Sequence, residues 1–272
     1  MTPERWREGR PFHPVPECSI ERFFGRGYEQ LYRNLLLSEG ETRREAAFLL
    51  KRLAPAAGQR WLDVPCGFGR HLVQLARRRP GLRLIGGDLN RDYLRGADLS
   101  RAAEVLCCDM RRLPLADRSV DVVVNMLNSF GYYPPLRVRR PDDRAVLREW
   151  ARVLRPAGHL VMDLPNRRPL IELVRRQSRI RYCGGPYAGS EQFRWDSATQ
   201  CMFNRTVWQW PGGREEASYR LRLYTPTQMR RMLARAGFRV ETMLGDFDES
   251  PFHPRRSDRM IVIARNRGSE AR

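Results

Sequence analysis

The run Trp61-Leu62-Asp63-Val64-Pro65-Cys66-Gly67-Phe68-Gly69-Arg70-His71 joins an apolar stretch ending in an acid to two glycines and a helix start. Glycine has no Cβ, so backbone N–H groups in such a turn can approach a bound nucleotide closely. Asp88 closes the next apolar run, Leu82-Arg83-Leu84-Ile85-Gly86-Gly87. It stands about 20 residues past the glycines, where a carboxylate can accept both hydroxyls of a ribose. Together the two features read as a nucleotide cradle. A nicotinamide fingerprint would need a third small residue where the helix packs on the strand. Leu72 occupies that position, and the acid precedes the turn.

The order Asp-x-x-Cys-Gly-x-Gly resembles motif I of the class I S-adenosylmethionine (SAM) methyltransferases, and further motifs follow in sequence. Asp88 matches the ribose-binding acid, and Cys108-Asp109-Met110 matches the pair that flanks adenine after the third strand. Asp121–Asn125 followed by Met126-Leu127-Asn128-Ser129-Phe130-Gly131-Tyr132 is similar to the fourth strand and its active-site loop. The segment from Leu147 through Arg155-Pro156-Ala157-Gly158 to Leu160 is similar to the helix, turn and strand that come next. The likeness runs over roughly residues 20 to 265.

The resemblance implies SAM as methyl donor and S-adenosylhomocysteine (SAH) as product. It implies Asp63, Gly67 and Gly69 near the amino acid part of the cofactor, with Pro65, Cys66 and Arg70 of the same turn beside them. Asp88 and Leu89 would serve the ribose, Asp109 and Met110 the adenine, and Asn125 the methionine part. For Asp63, a carboxylate that stabilises the loop is a compatible second role. Acceptor-side candidates are Tyr28, His71, Asn128 and Tyr132, with Tyr133 in the same loop and Asp163 and Asn166 at the end of the fifth strand. In related small-molecule enzymes a tyrosine of a Tyr-x-x-x-Tyr helix, here Tyr28 and Tyr32, caps the cofactor; core packing is the other reading. His71 faces either the pocket or a backbone partner at the helix start. Methyl transfer is an in-line displacement, in which alignment alone can supply about 7–11 kcal/mol. A base is needed only where the acceptor must first lose a proton.

Strands must alternate with helices to position these groups. Apolar spacing gives helices over 19–37 and 41–53, then a strand at 60–64 and a helix at 69–79. A strand at 82–87 follows, with Asn90 as cap of a helix running to Leu99. Strands at 103–107 and 120–125, a helix at 142–154 and a strand at 159–164 complete the series. Alternation of this kind makes a parallel sheet covered on both faces, with ligands outside its carboxyl edge. From Arg179 the pattern changes to antiparallel strands at 191–195, 201–210 and 215–223, with Pro211-Gly212-Gly213 as a turn. Thr225-Pro226-Thr227-Gln228 starts a helix that Gly237 ends, and strands at 238–246 and 258–265 close the sheet.

The expected fold is therefore α/β, a seven-stranded, mostly parallel Rossmann-like sheet with helices on both faces, an N-terminal helical cap and an antiparallel β insertion after strand 5. The units are an arm and helical cap (1–55), a SAM-binding core (56–178), an insertion over the acceptor site (179–224) and a C-terminal helix with the last two strands (225–272). Residues 1–18 carry four prolines and no apolar period, and read as an irregular arm or lid.

No stretch is apolar enough for a membrane span, the N-terminus lacks a signal-peptide core, and six cysteines stand without a Cys-x-x-Cys pair. A reduced, cytoplasmic protein without a metal site is the reading, as a monomer or homodimer. The net charge of +19 raises nucleic acid as a partner. Only Lys51 among the 50 basic residues is a lysine, however, and a GC-rich genome produces that skew without selection for binding. The reading is a small-molecule acceptor methylated on nitrogen or oxygen. An RNA or tRNA methyltransferase is the less favoured alternative, because Asn125-Met126-Leu127-Asn128 is not the Asn/Asp-Pro-Pro-Tyr/Phe loop that holds a flipped base. A SAM-binding regulator without turnover is the third.

Overall fold

The computed structural model describes residues 20–132 and 143–268. Tyr133, the arm at 1–18 and the first residue of the helix expected from 142 lie outside the described residues.

A seven-stranded sheet forms the centre, in the order β10-β11-β5-β4-β1-β2-β3. Its strands are β1 (Arg60–Asp63), β2 (Arg83–Asp88), β3 (Glu104–Cys107), β4 (Val120–Asn125), β5 (Leu154–Pro165), β10 (Phe238–Leu244) and β11 (Arg259–Asn266). All pairings are parallel except those of β11, which is antiparallel to both β5 and β10. β4 shows why the strands read as unbroken apolar runs. Val123 faces one layer, with Leu147, Trp150 and Val153 of α6 (Asp143–Val153) and Met229 and Leu233 of α8 (Pro226–Arg235). Val122 and Val124 face the other, with Phe48 and Leu49 of α3 (Glu39–Leu53) and Leu72 and Leu75 of α4 (Arg70–Arg78). A strand covered on both faces has no polar side to show. Each fully buried large apolar side chain contributes about 1.5–3 kcal/mol.

A second sheet, β6 (Arg179–Gly184), β7 (Tyr187–Asp196), β8 (Cys201–Trp210) and β9 (Gly213–Arg222), is an antiparallel meander following α7 (Arg167–Arg176). Its Trp208 and Ala217 pack on Phe23 of α1 (Ile20–Phe23) and on Tyr28 and Leu31 of α2 (Arg26–Leu31). No described helix is long and apolar enough to cross a membrane.

Several expectations change. The insertion has four strands rather than three: β6, Arg-Ile-Arg-Tyr-Cys-Gly, is an edge strand whose arginines hide its alternation. The helix expected over 19–37 is broken at Gly25, and its second part ends in a π-turn, Tyr32–Leu36. A side chain at Gly25 would meet the Arg22 carbonyl at 2.9 Å. Asn90 does not cap a helix. Its side chain accepts from the Asp92 amide and donates to the Phe24 carbonyl, and α5 (Ala97–Ala102) starts only after Gly96. The helix expected from 41 begins at Glu39, because Ser38 and Glu41 form a reciprocal capping box. The same box forms at Thr225 and Gln228, as the sequence implies.

Candidate active site

A cavity of about 660 Å³ opens at the carboxyl ends of β1, β2 and β4. One wall is Val64–Phe68, and the opposite one is Ile20, Glu21, Phe24, Gly25 and Tyr28 of the N-terminal helices. Two hydrogen bonds tie the N-terminal segment to the stretch after β2, Asn90 Nδ2 to the Phe24 carbonyl at 2.7 Å and the Tyr93 hydroxyl to the Gly25 carbonyl at 3.3 Å.

The glycine turn has a divided purpose. Gly67 takes φ +54° with open space where its Cβ would stand, so its backbone is bare toward the cavity. Gly69, at φ +73°, is closed, since a Cβ there would lie 2.3 Å from Leu99 Cδ1. Gly69 lets α4 approach α5 and does not line the cavity, contrary to its assignment from sequence. Asp88 Oδ2 accepts from the Gly67 amide and Oδ1 from the Asn90 amide, both at 2.8 Å. Burial pushes its pKa up, partly countered by those two amides. A carboxylate has about four acceptor positions, so two remain for hydroxyls. Leu89 beside it is 50% exposed, an apolar surface waiting for a flat partner. Met110, Cys108 and Asp109 line the far side, with Asp109 held by Arg111 Nη2 at 2.6 Å.

Under the turn lies a buried polar layer. Arg70 Nη1 donates to Glu45 Oε2 at 2.5 Å and to Thr42 Oγ1 at 2.9 Å; His71 Nε2 meets Glu45 Oε2 at 2.8 Å. Burial and the Arg70 charge lower the His71 pKa, so the neutral ring donates to Glu45. Burial would raise Glu45, but the His71 hydrogen bond and the Arg70 charge outweigh it and hold the carboxyl at about 2. His71 touches the cavity edge, but its hydrogen bond goes to a helix-α3 carboxylate rather than to the backbone or an acceptor. Asp63, 1% exposed, does not line the cavity, contrary to its placement beside the cofactor; neither oxygen has a hydrogen-bond partner, His71 Nδ1 stands 3.8 Å from Oδ2, and burial raises its pKa to about 8 against the Arg70 charge. Its position fits the second role read for it, a carboxyl inside the loop that follows β1.

At the end of β4 the side chain of Asn125 donates to the Val64 carbonyl at 2.8 Å and does not reach the cavity. Leu127 and Asn128 both take positive φ, 54° and 57°. A bulky residue there is an outlier held by its surroundings. Here Asp163 holds it: its Oδ2 accepts from the Leu127 amide and its carbonyl from the Asn128 amide, both at 3.1 Å. Arg259 Nη1 fixes Asp163 in turn, at 2.7 Å. Asn128 does not line the cavity; its buried Oδ1 has no partner. Asn166 is also turned away, donating to the Ser257 carbonyl at 2.7 Å. Tyr28 and Tyr132 do line the cavity. Tyr28 stacks on Tyr32 at 3.7 Å, while Tyr132 packs on Phe24 and Tyr219 and bridges to Leu221 of β9. Tyr28 thus joins packing and cavity lining, the two readings open from its spacing. The insertion contributes nothing to the cavity lining among the described residues; it stands behind the N-terminal helices and supports them.

These groups fit SAM. The open space over Gly67, the acceptor capacity left on Asp88 and exposed Leu89 offer what a ribose and a purine face need.

Residues 62–162 match the family model described as methyltransferase domain. Methyltransferase GfsG of Streptomyces halstedii is 33% identical over 121 residues, 42% of this chain and 40% of that protein. Demethylmenaquinone methyltransferase of Lactobacillus johnsonii is 34% identical over 155 residues, 53% of this chain and 59% of that protein. These alignments cover less than two thirds of either relative. RNA methyltransferases also occur among the similar proteins. Among solved structures, the CcbJ methyltransferase of Streptomyces caelestis superposes with a TM-score of 0.71, at 18% identity over 89% of this chain and 97% of that one. Residues 62–162 thus resemble a methyltransferase domain, and the fold is the Rossmann-like one of solved SAM-dependent methyltransferase structures.

Proposed function

We propose that the chain moves a methyl group from SAM to a nitrogen or oxygen of a small-molecule metabolite by in-line displacement. One observation carries this: the N-terminal helices lie across the strand ends and confine the cavity to about 660 Å³. That is the size of small-ligand sites, about 300–1,000 Å³, and not of an open groove for a nucleic acid. SAM would lie with its ribose at Asp88, its adenine between Leu89 and Met110, and its amino acid part at Gly67 above Asp63. Pro65, Cys66 and Arg70 shape that end. The acceptor would enter on the side of Tyr28, Tyr132 and Ser129. Solved structures of similar fold include an amino pentose methyltransferase and a sugar N-methyltransferase, in line with a small acceptor.

A cytoplasmic setting agrees with Cys66, Cys107, Cys108, Cys183 and Cys201, all free. The second reading, an RNA acceptor, draws on the relatives that methylate RNA and on the +19 charge. Calorimetric titration with SAM, SAH and NAD comes first; binding of the first two and not the third is expected. Methyl-labelled SAM is then incubated with protein-free small-molecule extract or with total RNA. Label in the small-molecule fraction supports the reading, label in RNA overturns it, and SAM binding without any turnover favours a regulator.

A further inference from the structure

Three rings form one continuous wall of the cavity. Phe24, Tyr28 and Tyr132 all line it. Phe24 links the two tyrosines, T-shaped to each, with ring centroids 4.9 Å from Tyr28 and 5.2 Å from Tyr132. Each member is fixed by a neighbour. Asn90 holds the Phe24 carbonyl, and Tyr32 stacks on Tyr28 at 3.7 Å. The Gly131 carbonyl accepts from the Arg222 amide of β9 at 2.9 Å, which anchors the residue before Tyr132. Ile20, Leu37, Met126 and Leu127 supply further apolar lining.

Two polar atoms interrupt this wall. Among the described residues neither the Tyr28 hydroxyl nor the Tyr132 hydroxyl makes a hydrogen bond. Tyr93, the third tyrosine of the described lining, donates its hydroxyl to the Gly25 carbonyl at 3.3 Å. Tyr28 is only 8% exposed, and a buried hydroxyl ordinarily finds a partner within the protein. Here the side left open to it is the cavity. Burial holds both phenols above their ordinary pKa, so both stay protonated and able to donate.

A rigid aromatic wall with donor hydroxyls suits a flat ring that carries oxygen. Rings attract one another beyond the area they bury, and a few placed polar groups then fix orientation. A hydroxyl donor binds an oxygen more strongly as that oxygen becomes negative. An ammonium group has no lone pair to accept from it. We propose that the acceptor is a planar phenol or enol, that Phe24 packs on its ring, and that Tyr28 and Tyr132 donate to its oxygens, one of them the hydroxyl that is methylated. That hydroxyl gives its proton to water. Its oxygen lone pair forms the bond to the methyl carbon, and the electrons of the broken carbon–sulfur bond stay on sulfur, leaving SAH. This rests on the small-molecule reading above and narrows it from nitrogen or oxygen to the oxygen of a ring hydroxyl.

The test titrates phenol, benzene, cyclohexanol and benzylamine calorimetrically into protein saturated with SAH, so that the cofactor's part of the cavity is filled. The wild-type protein is expected to bind phenol at least ~10-fold more tightly than benzene, which lacks the oxygen, and than cyclohexanol, which lacks the flat ring. In the double variant Tyr28→Phe, Tyr132→Phe, which keeps both rings, the preference for phenol over benzene should fall to within about twofold. Phe24→Leu should weaken phenol and benzene by a like factor of roughly three and leave cyclohexanol within about twofold. Equal binding of phenol and benzene to wild type, a preference that survives the double substitution, or benzylamine binding more tightly than phenol overturns the proposal. Failure of SAH to bind would remove the methyltransferase reading instead, while the same comparison of wild type and variants without SAH still decides the ring site.

Discussion

Asp88→Ala separates a ribose ligand from a loop acid. The carboxylate already accepts two amides at 2.8 Å, from Gly67 and Asn90, and has two acceptor positions left for the cofactor's 2′ and 3′ hydroxyls. Hydrogen bonds to a charged acceptor are each worth about 1.5–3 kcal/mol. Losing two costs at least about 3 kcal/mol, and with 1.4 kcal/mol per tenfold that is on the order of a hundredfold in SAH affinity. The substitution also frees the Gly67 and Asn90 amides, which water from the cavity can partly satisfy, so a modest loss of thermal stability is expected as well. A ligand comparison isolates the first effect from the second. Adenosine and 2′,3′-dideoxyadenosine are titrated into wild type and Asp88→Ala. The substitution should weaken adenosine strongly and dideoxyadenosine hardly at all. An SAH affinity within threefold of wild type in a folded variant, or an equal penalty on both nucleosides, would refute the placement of the ribose.

Asp63 is neutral in the free protein at pH 7, since burial holds it at about 8. A cofactor ammonium above it at Gly67 would stabilise the carboxylate, so SAH binding at pH 7 should release up to about one proton. That appears as a calorimetric enthalpy that varies with buffer ionisation enthalpy, and is absent in Asp63→Asn; no buffer dependence in wild type would count against it. Because the folded pKa lies above the unfolded one, Asp63 favours folding fully below about pH 4, and that contribution is lost as pH rises through about 8. Asp63→Asn should therefore flatten the fall in melting temperature over that window, and parallel curves would contradict this. Leu89→Ala should cost SAH affinity about 1 kcal/mol, roughly fivefold, with little change in melting temperature, because the side chain is already half exposed. A large loss of stability would show it to be core. Gly69→Ala, with a Cβ 2.3 Å from Leu99, should destabilise by about 1–3 kcal/mol in denaturant melts; a neutral result would mean that α5 shifts freely.

The order of strands and helices, the glycine turn and the acid at the end of β2 were legible in the chain because each is local. Alternation, capping residues and the lack of a Cβ act within a few residues, so Gly67, Asp88 and the box at Thr225 could be found without a fold. The positions where the structure differs share the opposite property. Gly69 was read as a ligand-facing glycine, and only Leu99, packed against it from α5, makes it a packing residue. His71 reaches the cavity edge as one of its two readings had it, but Glu45 claims its hydrogen bond, and the Val64 carbonyl claims the Asn125 side chain. Asn90 resembled a cap until the Phe24 carbonyl drew it across the cavity. Sequence determined the cradle, whose geometry is written in neighbouring residues. Tertiary packing decided which side chains face the cavity, because that depends on distant partners competing for the same polar atoms.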